Sequence, residues 1–122
     1  MIVKKLASSL CQDANLLKES KTYIVYAILF DEDVKFLVED EDVFSFPFFV
    51  SAKEVEIIDN KVSSYWKYSN PLTRTPKSSS RSAMLACEEM LERFFYQTLV
   101  DGELSSKRKW ELLKERLDKE FD

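Results

Sequence analysis

Residues 23–30 form a run without charge, glycine or proline, and both of its alternating faces are apolar. Six of the eight residues are β-branched or aromatic, and these types suit a pleated, buried surface. A strand that is apolar on both sides needs cover on both, or a central place in its sheet. The pattern therefore predicts a buried strand around which the rest of the chain packs.

Short turns separate further strand patterns. Apolar residues alternate over 34–39 and again over 43–50, and the turn between them is acidic. Pro47 has no amide hydrogen to donate, which places its strand at an edge or a bulge. Residues 55–58 and 62–68 predict a hairpin across an Asp-Asn-Lys turn. Turns this short join antiparallel strands, because parallel strands need long crossovers.

Helical periodicity flanks the strand patterns. Apolar positions recur at spacings of three and four over residues 2–19, 82–100 and 106–121. Gly102, the only glycine, stands where a left-handed helix C-cap is needed. The predicted fold is therefore α+β, with an N-terminal helix, an antiparallel meander of four to five strands, and two C-terminal helices packed on one face of the sheet.

Composition predicts one domain over residues 1–122, because 45% hydrophobic and 13% aromatic residues suffice for a core. The chain contains no histidine, which removes the commonest general base and metal ligand and excludes a Ser-His triad. Cys11 and Cys87 are predicted to be reduced core residues of a cytoplasmic protein, with a disulfide between them as the alternative. No cofactor is expected, and no segment is predicted to span a membrane.

Charge is segregated along the chain. Residues 31–59 carry two basic and ten acidic groups, and residues 60–82 carry five basic and no acidic groups. In one interpretation the two blocks neutralise each other inside the fold, through Lys61 and the other basic residues near the acidic turns or near Glu88, Glu89 and Glu92. In the other interpretation each block faces a partner.

The leading hypothesis is a non-catalytic protein that makes a charge-complementary contact with another protein, in an inhibitor, immunity-type, adaptor or chaperone role. Acidic patches orient basic partners, and aromatic side chains beyond the needs of one core mark interfaces. The predicted partner-binding residues are Asp31, Asp33, Glu39, Glu41, Asp42, Tyr65, Trp66 and Tyr68.

Several other kinds of site are weighed against this hypothesis. A small-ligand pocket among the aromatic residues is the main alternative, and with it a minor enzyme in which Glu54 and Glu56 act as an acid–base pair. A hard-cation site would use the carboxylates of Asp31, Asp33, Glu39, Asp40, Glu41 and Asp42. A homodimer would form through an unpaired strand edge. Nucleic acid is the weakest alternative, because the acidic total repels a polyanion. It would bind the exposed loop of residues 69–82 and its neighbour through Lys67, Arg74, Lys77 and Arg81.

Overall fold

The computed structural model of the protein describes residues 1–6, 17–18, 20–69, 83–92 and 94–121. The α+β class is confirmed: within these residues the chain forms eight strands and two α-helices. The strands are β1 (Ile2–Lys5), β2 (Thr22–Ile24), β3 (Ala27–Phe30), β4 (Val34–Val38), β5 (Phe48–Ser51), β6 (Val55–Asp59), β7 (Trp66–Ser69) and β8 (Ala83–Cys87). The helices are α1 (Phe95–Val100) and α2 (Leu104–Glu120), and 3₁₀ turns occupy Ala52–Glu54 and Glu88–Leu91.

The strands form two antiparallel sheets rather than one meander. Sheet A has the order β2-β1-β6, and sheet B has the order β5-β4-β3-β8-β7. The predicted hairpin between residues 55–58 and 62–68 is wrong, because β6 pairs with β1 in sheet A whereas β7 pairs with β8 in sheet B. The stretch β3-β4-β5 is the part of the predicted meander that the structure retains.

The apolar run at residues 23–30 passes from one sheet into the other. The Val25 amide donates to the Met1 carbonyl at 2.9 Å, and the next amide, of Tyr26, donates to the Leu37 carbonyl at 2.8 Å. The hydrogen-bonding partner therefore changes between two consecutive residues, and one predicted strand becomes β2 and β3. Val25 and Ala27 are fully buried, whereas Phe30 is 38% exposed, so the predicted burial holds for most of the run but not for its end, and the predicted continuity is wrong.

The predicted N-terminal helix is wrong, because Ile2–Lys5 is a strand. It lies at the centre of sheet A, where Val3 pairs with Tyr23 of β2 on one side and with Ile57 of β6 on the other. Hydrogen bonding to two neighbouring strands decides the structure of this segment, because a helical spacing of apolar residues is a weak signal over so few residues. The remainder of this predicted helix, with Cys11, lies largely outside the described residues.

The predicted helix at residues 82–100 is also wrong over most of its length. Ala83–Cys87 is strand β8, which lies between β3 and β7 in sheet B, and the helix begins only at Phe95. The predicted cap is confirmed, since Gly102 has φ of 84° and its amide donates to the Leu99 carbonyl at 3.1 Å. The amide of Glu103 donates further back, to the Thr98 carbonyl at 3.0 Å, which completes a left-handed C-terminal motif.

Sheet B is covered on both faces, as the two apolar faces of residues 23–30 require. We call the layer between the two sheets the inter-sheet core and the layer between sheet B and the helices the helix-side core. The inter-sheet core contains Met1, Val3, Leu17, Tyr23, Val25, Ile28, Phe36, Val38, Phe48, Val50 and Val55. The helix-side core contains Tyr26, Ala27, Leu37, Ala86, Cys87, Met90, Phe95, Leu99, Trp110, Leu113 and Leu117.

Strand β5 lies at an edge of sheet B, as the proline suggested. It is shorter than predicted, since it begins at Phe48, directly after Pro47. Phe44 and Phe46 therefore lie outside the strand, where their rings stack at 5.1 Å between centroids. Neither helix in the described part of the chain combines the length and the apolar character needed to cross a bilayer.

Candidate functional site

The carboxylate of Asp40, in the predicted acidic turn, points into the protein. Its side chain is 1% exposed and accepts hydrogen bonds from the Tyr23 hydroxyl at 2.9 Å and from the Asp42 amide at 3.1 Å. The ammonium groups of Lys18 and Lys21 each lie 3.7 Å from it. Burial raises the pKa of this carboxyl, but the hydrogen bonds and the two lysines outweigh that effect and hold the pKa below its ordinary value.

Glu39 is also occupied inside the fold. Its carboxylate accepts a hydrogen bond from the Trp110 indole at 2.5 Å and from the Lys114 ammonium at 2.5 Å, and only 9% of its side chain is exposed. Lys114 also lies 3.2 Å from Glu41. Burial lowers the pKa of Lys114, but the bonds to the two glutamates outweigh it and raise that pKa above its ordinary value. Helix α2 therefore neutralises this side of the turn.

The remaining predicted acidic residues do not gather at one surface. Asp42 pairs with Lys18, and Asp33 accepts a hydrogen bond from the Ser51 hydroxyl at 2.5 Å. Asp31 is exposed and bonds the following amide in its own turn. The turn of residues 31–33 and the turn of residues 39–42 lie at opposite ends of β4, and no group of metal-ligating side chains occurs among the described residues.

Part of the acidic block is neutralised inside the fold, but by other partners than expected. Lys18, Lys21 and Lys114 neutralise the acidic turn, and none of them belongs to the basic block of residues 60–82. Of that block, Lys67 pairs with Glu88 at 3.3 Å. Two further predicted acidic neighbours find helix residues instead: Glu89 pairs with Arg116 and Glu92 with Lys109. Arg74, Lys77 and Arg81 lie outside the described residues.

The three predicted aromatic contact residues separate into two kinds. Tyr65 is 47% exposed and Tyr68 is 60% exposed, so both are available for contact. Trp66 is half-buried and packs against both cores, which makes it a structural residue rather than a surface one. Its indole nitrogen is buried and has no hydrogen-bond partner among the described residues.

Exposed apolar side chains concentrate around these two tyrosines. Of the eleven large hydrophobic residues that are exposed in the described chain, five lie between residues 57 and 68. We call this segment the 57–68 surface; its exposed apolar members are Ile57 (47%), Ile58 (50%), Val62 (51%), Tyr65 and Tyr68. It runs from β6, an edge strand of sheet A, to β7, an edge strand of sheet B.

A β-bulge lies at the two isoleucines of this surface. The alternation of residues 54–57 predicts that Ile57 is buried, and the structure contradicts this. In the pairing of β6 with β1, Val3 lies opposite Ile57 and Ile2 lies opposite Asp59, which leaves Ile58 as an extra residue. Sequence reasoning missed both isoleucines, although two adjacent isoleucines interrupting a period of two are a signal of such a bulge.

A groove of about 610 Å³ continues the 57–68 surface onto helix α2. The Arg116 guanidinium lies 5.2 Å from the centroid of the Tyr65 ring, and Leu112 on the same side of the helix is 65% exposed. Glu120 anchors the segment to the helix, because its carboxylate accepts hydrogen bonds from the Ser64 hydroxyl at 2.5 Å and the Ser64 amide at 3.2 Å. The segment is therefore fixed by β6 at its start, by β7 at its end, and by the bonds of Ser64 to α2 between them.

The arrangement of the described residues does not favour catalysis. Burial raises the pKa of the Cys87 thiol to about 11, so this cysteine is protonated at neutral pH and is a poor nucleophile. Glu56 pairs with Lys4 at 3.6 Å instead of forming an acid–base pair with Glu54. A recess of about 410 Å³ beside the acidic turn is lined by carboxylates and lysines that are bonded to one another.

The chain matches no protein-family model, no curated protein and no solved structure.

Proposed function

We propose that the protein is a small, non-catalytic binding protein that contacts another protein through the 57–68 surface. The observation that carries the proposal is the concentration of exposed apolar side chains in one segment, two of them tyrosines. Tyrosine is enriched in protein interfaces and among the residues that dominate binding energy. Single exposed apolar residues need no explanation, whereas five of them within one short segment favour an interaction site.

The geometry changes the part that charge plays in this proposal. Glu39 and Asp40 hold the fold together, so the contact does not depend on them. Asp31 remains exposed, and the net charge of −4 still favours basic over acidic partners during encounter. Affinity then comes mainly from apolar contact at the 57–68 surface, and charge contributes to the rate of association.

A pull-down with two matched variants tests the proposal. Ile58→Glu places a charge among the exposed apolar residues of the surface, and Leu104→Glu makes the same change at a residue that is 65% exposed at the start of α2. We expect a protein captured by the wild type to be retained by Leu104→Glu and lost by Ile58→Glu. Because both side chains are exposed, neither substitution should change the free energy of unfolding by more than about 0.5 kcal/mol. Both variants should therefore melt close to the wild-type temperature.

Affinity and salt dependence make the test quantitative. Measured by calorimetry with the captured protein, Ile58→Glu and Tyr68→Ala should each weaken binding about tenfold or more. Binding should persist in 0.5 M salt, because apolar contact is not screened as exposed charge pairs are. Equal binding by Ile58→Glu and the wild type would exclude this surface, and loss of all binding in salt would favour the charge-dominated contact.

A second copy of the chain is the alternative occupant that the same variants distinguish. Sedimentation equilibrium of the purified wild type gives a dimer mass if the 57–68 surface pairs with itself, and Ile58→Glu then returns the mass to that of a monomer. A monomer at all concentrations leaves a different protein as the partner.

A further inference from the structure

We propose that the buried carboxylate of Asp40 is an acid-sensitive lock between the two sheets, whose protonation releases sheet A while sheet B and the helices remain folded. The inference concerns a conformational property and does not depend on the proposed function. Asp40 follows β4 of sheet B, but its carboxylate contacts Tyr23 of β2 and the lysines of the segment that leads into β2 of sheet A.

The contacts of Asp40 join the two layers directly. Its carboxylate accepts the hydrogen bond of Tyr23, whose ring belongs to β2, and it lies between the ammonium groups of Lys18 and Lys21. The Tyr23 hydroxyl in turn accepts a hydrogen bond from the Lys18 amide at 2.9 Å. On the side of sheet B, the Asp40 carbonyl accepts the amides of Val43 and Phe44, which holds the turn in place.

Among the described residues, Tyr23–Asp40 is the side-chain hydrogen bond that connects a strand of sheet A with the sheet B side of the molecule. Other connections between the layers include the ion pairs of Lys18 with Asp40 and Asp42, the ion pair of Lys21 with Asp40, the chain itself, and apolar packing in the inter-sheet core. A buried charge is costly unless it is paired and hydrogen-bonded, so neutralising Asp40 leaves its two lysines and its tyrosine without the partner they were arranged around.

The helix-side layer distributes its polar contacts over several carboxylates. Glu39, with 9% of its side chain exposed, accepts bonds from Trp110 and Lys114 of α2, and Asp118 accepts the hydroxyl of Tyr26. Glu89 and Arg116 pair nearer the surface, with 29% and 34% of their side chains exposed. Acid therefore acts on that layer through several groups, whereas protonation of Asp40 alone weakens the Tyr23 bond and the ion pairs with Lys18 and Lys21, and leaves the pair of Lys18 with Asp42. The charged and titratable groups around Asp40 are Lys18, Lys21, Tyr23 and Asp42, with Glu39, Glu41, Tyr26 and Lys114 lining the same recess.

The direction of the pH effect follows from the ionised state of Asp40 in the fold. Its pKa is held below the ordinary value of 3.8, so the lock is intact at neutral pH and opens as the pH falls below that value. Removing the Tyr23 hydroxyl takes away a donor that favours the ionised carboxylate. The Tyr23→Phe variant should therefore open at a higher pH than the wild type.

Methyl NMR spectra recorded from pH 7 to pH 2 follow the two layers separately. Val3 and Val55 report on sheet A, and Leu113 and Leu117 report on the helix-side core. We expect the two valines to lose their native chemical shifts at a higher pH than the two leucines. Simultaneous loss of all four signals would overturn the proposal.

Two carboxylate variants complete the experiment. Asp40→Asn removes the charge permanently, so the valine signals should already occupy their acid positions at pH 7 while the leucine signals stay native. Asp33→Asn is the matched control, since Asp33 bonds Ser51 within sheet B, and it should titrate like the wild type. If Asp40→Asn does not fold, the wild-type and Tyr23→Phe titrations still decide, because equal midpoints for these two proteins would contradict a role for the Tyr23–Asp40 bond.

Discussion

On one face of sheet B a carboxylate is almost fully enclosed, whereas on the other face the helices are bonded by carboxylates that keep more contact with solvent. Asp40 is 1% exposed, while the Glu39 side chain, which accepts the Trp110 indole, is 9% exposed, and Asp118, which accepts the Tyr26 hydroxyl, is half-buried. A charge enclosed in a core costs free energy unless every partner is in place. The comparison indicates that polar contacts specify how sheet A docks, whereas apolar packing dominates the attachment of the helices.

Truncation of one residue in each core has the largest expected effect on this comparison. Leu113 of α2 is fully buried in the helix-side core, and Phe36 of β4 is 4% exposed in the inter-sheet core. We expect Leu113→Ala to lower the free energy of unfolding by about 2–5 kcal/mol and Phe36→Ala by about 3–5 kcal/mol. Urea unfolding measures both changes.

The neighbouring residue provides the control for the truncation experiment. Leu112 is 65% exposed, so Leu112→Ala should change the free energy of unfolding by no more than about 0.5 kcal/mol. A loss of several kcal/mol in Leu112→Ala would mean that α2 presents a different face to sheet B.

Neutralising one carboxylate in each layer has an intermediate effect and sharpens the comparison. Asp40→Asn should lower the free energy of unfolding by about 2–4 kcal/mol, because it leaves buried partners of the lost charge. Glu39→Gln should cost about 1–2 kcal/mol, since the amide oxygen still accepts the Trp110 hydrogen bond. Equal costs would remove the distinction between an enclosed carboxylate and one that keeps more contact with solvent.

The pH dependence of the free energy of unfolding tests the contribution of Asp40 separately. The pKa of Asp40 is depressed in the fold, so its contribution is fully present above the unfolded value and is lost as the pH falls through the folded value. The acid limb of the stability curve should therefore be shallower in Asp40→Asn than in the wild type. Urea unfolding at pH 7, 5 and 3 measures this difference.

The smallest predicted effect concerns backbone strain on the helix side. Phe94 has φ of 61°, a left-handed conformation that is costly for an aromatic residue and that asparagine tolerates better. Phe94→Asn should raise the free energy of unfolding by about 0.5–1 kcal/mol. Phe95→Asn, at a buried neighbour, is the contrasting variant and should destabilise the protein.

The structure also shows where sequence patterns were sufficient and where they were not. The face of α2 that carries Trp110, Leu113 and Leu117 is buried as its spacing predicts. The predicted helix at residues 82–100 fails because its apolar residues fit a period of two locally as well as a helical period. Pairing with β3 on one side and β7 on the other then decides for a strand.

The acidic turn illustrates a limit of a different kind. Four adjacent carboxylates indicate a charged surface, but their partners come from Lys18 and Lys21 on one side and from Lys114 at the far end of the chain. No local pattern encodes an ion pair between residues so distant in sequence, since it exists only once β4 and α2 have packed together.

By itself the sequence determined that residues 23–28 lie largely inside the protein, that the last helix presents one apolar stripe, and that Gly102 ends the helix before it. Each of these follows from local periodicity or backbone conformation, which neighbouring residues specify. The tertiary structure alone decided that the apolar run divides between two sheets and that the chain start is a central strand. Strand pairing joins residues far apart in the chain, so only long-range contacts select the edge to which each strand bonds.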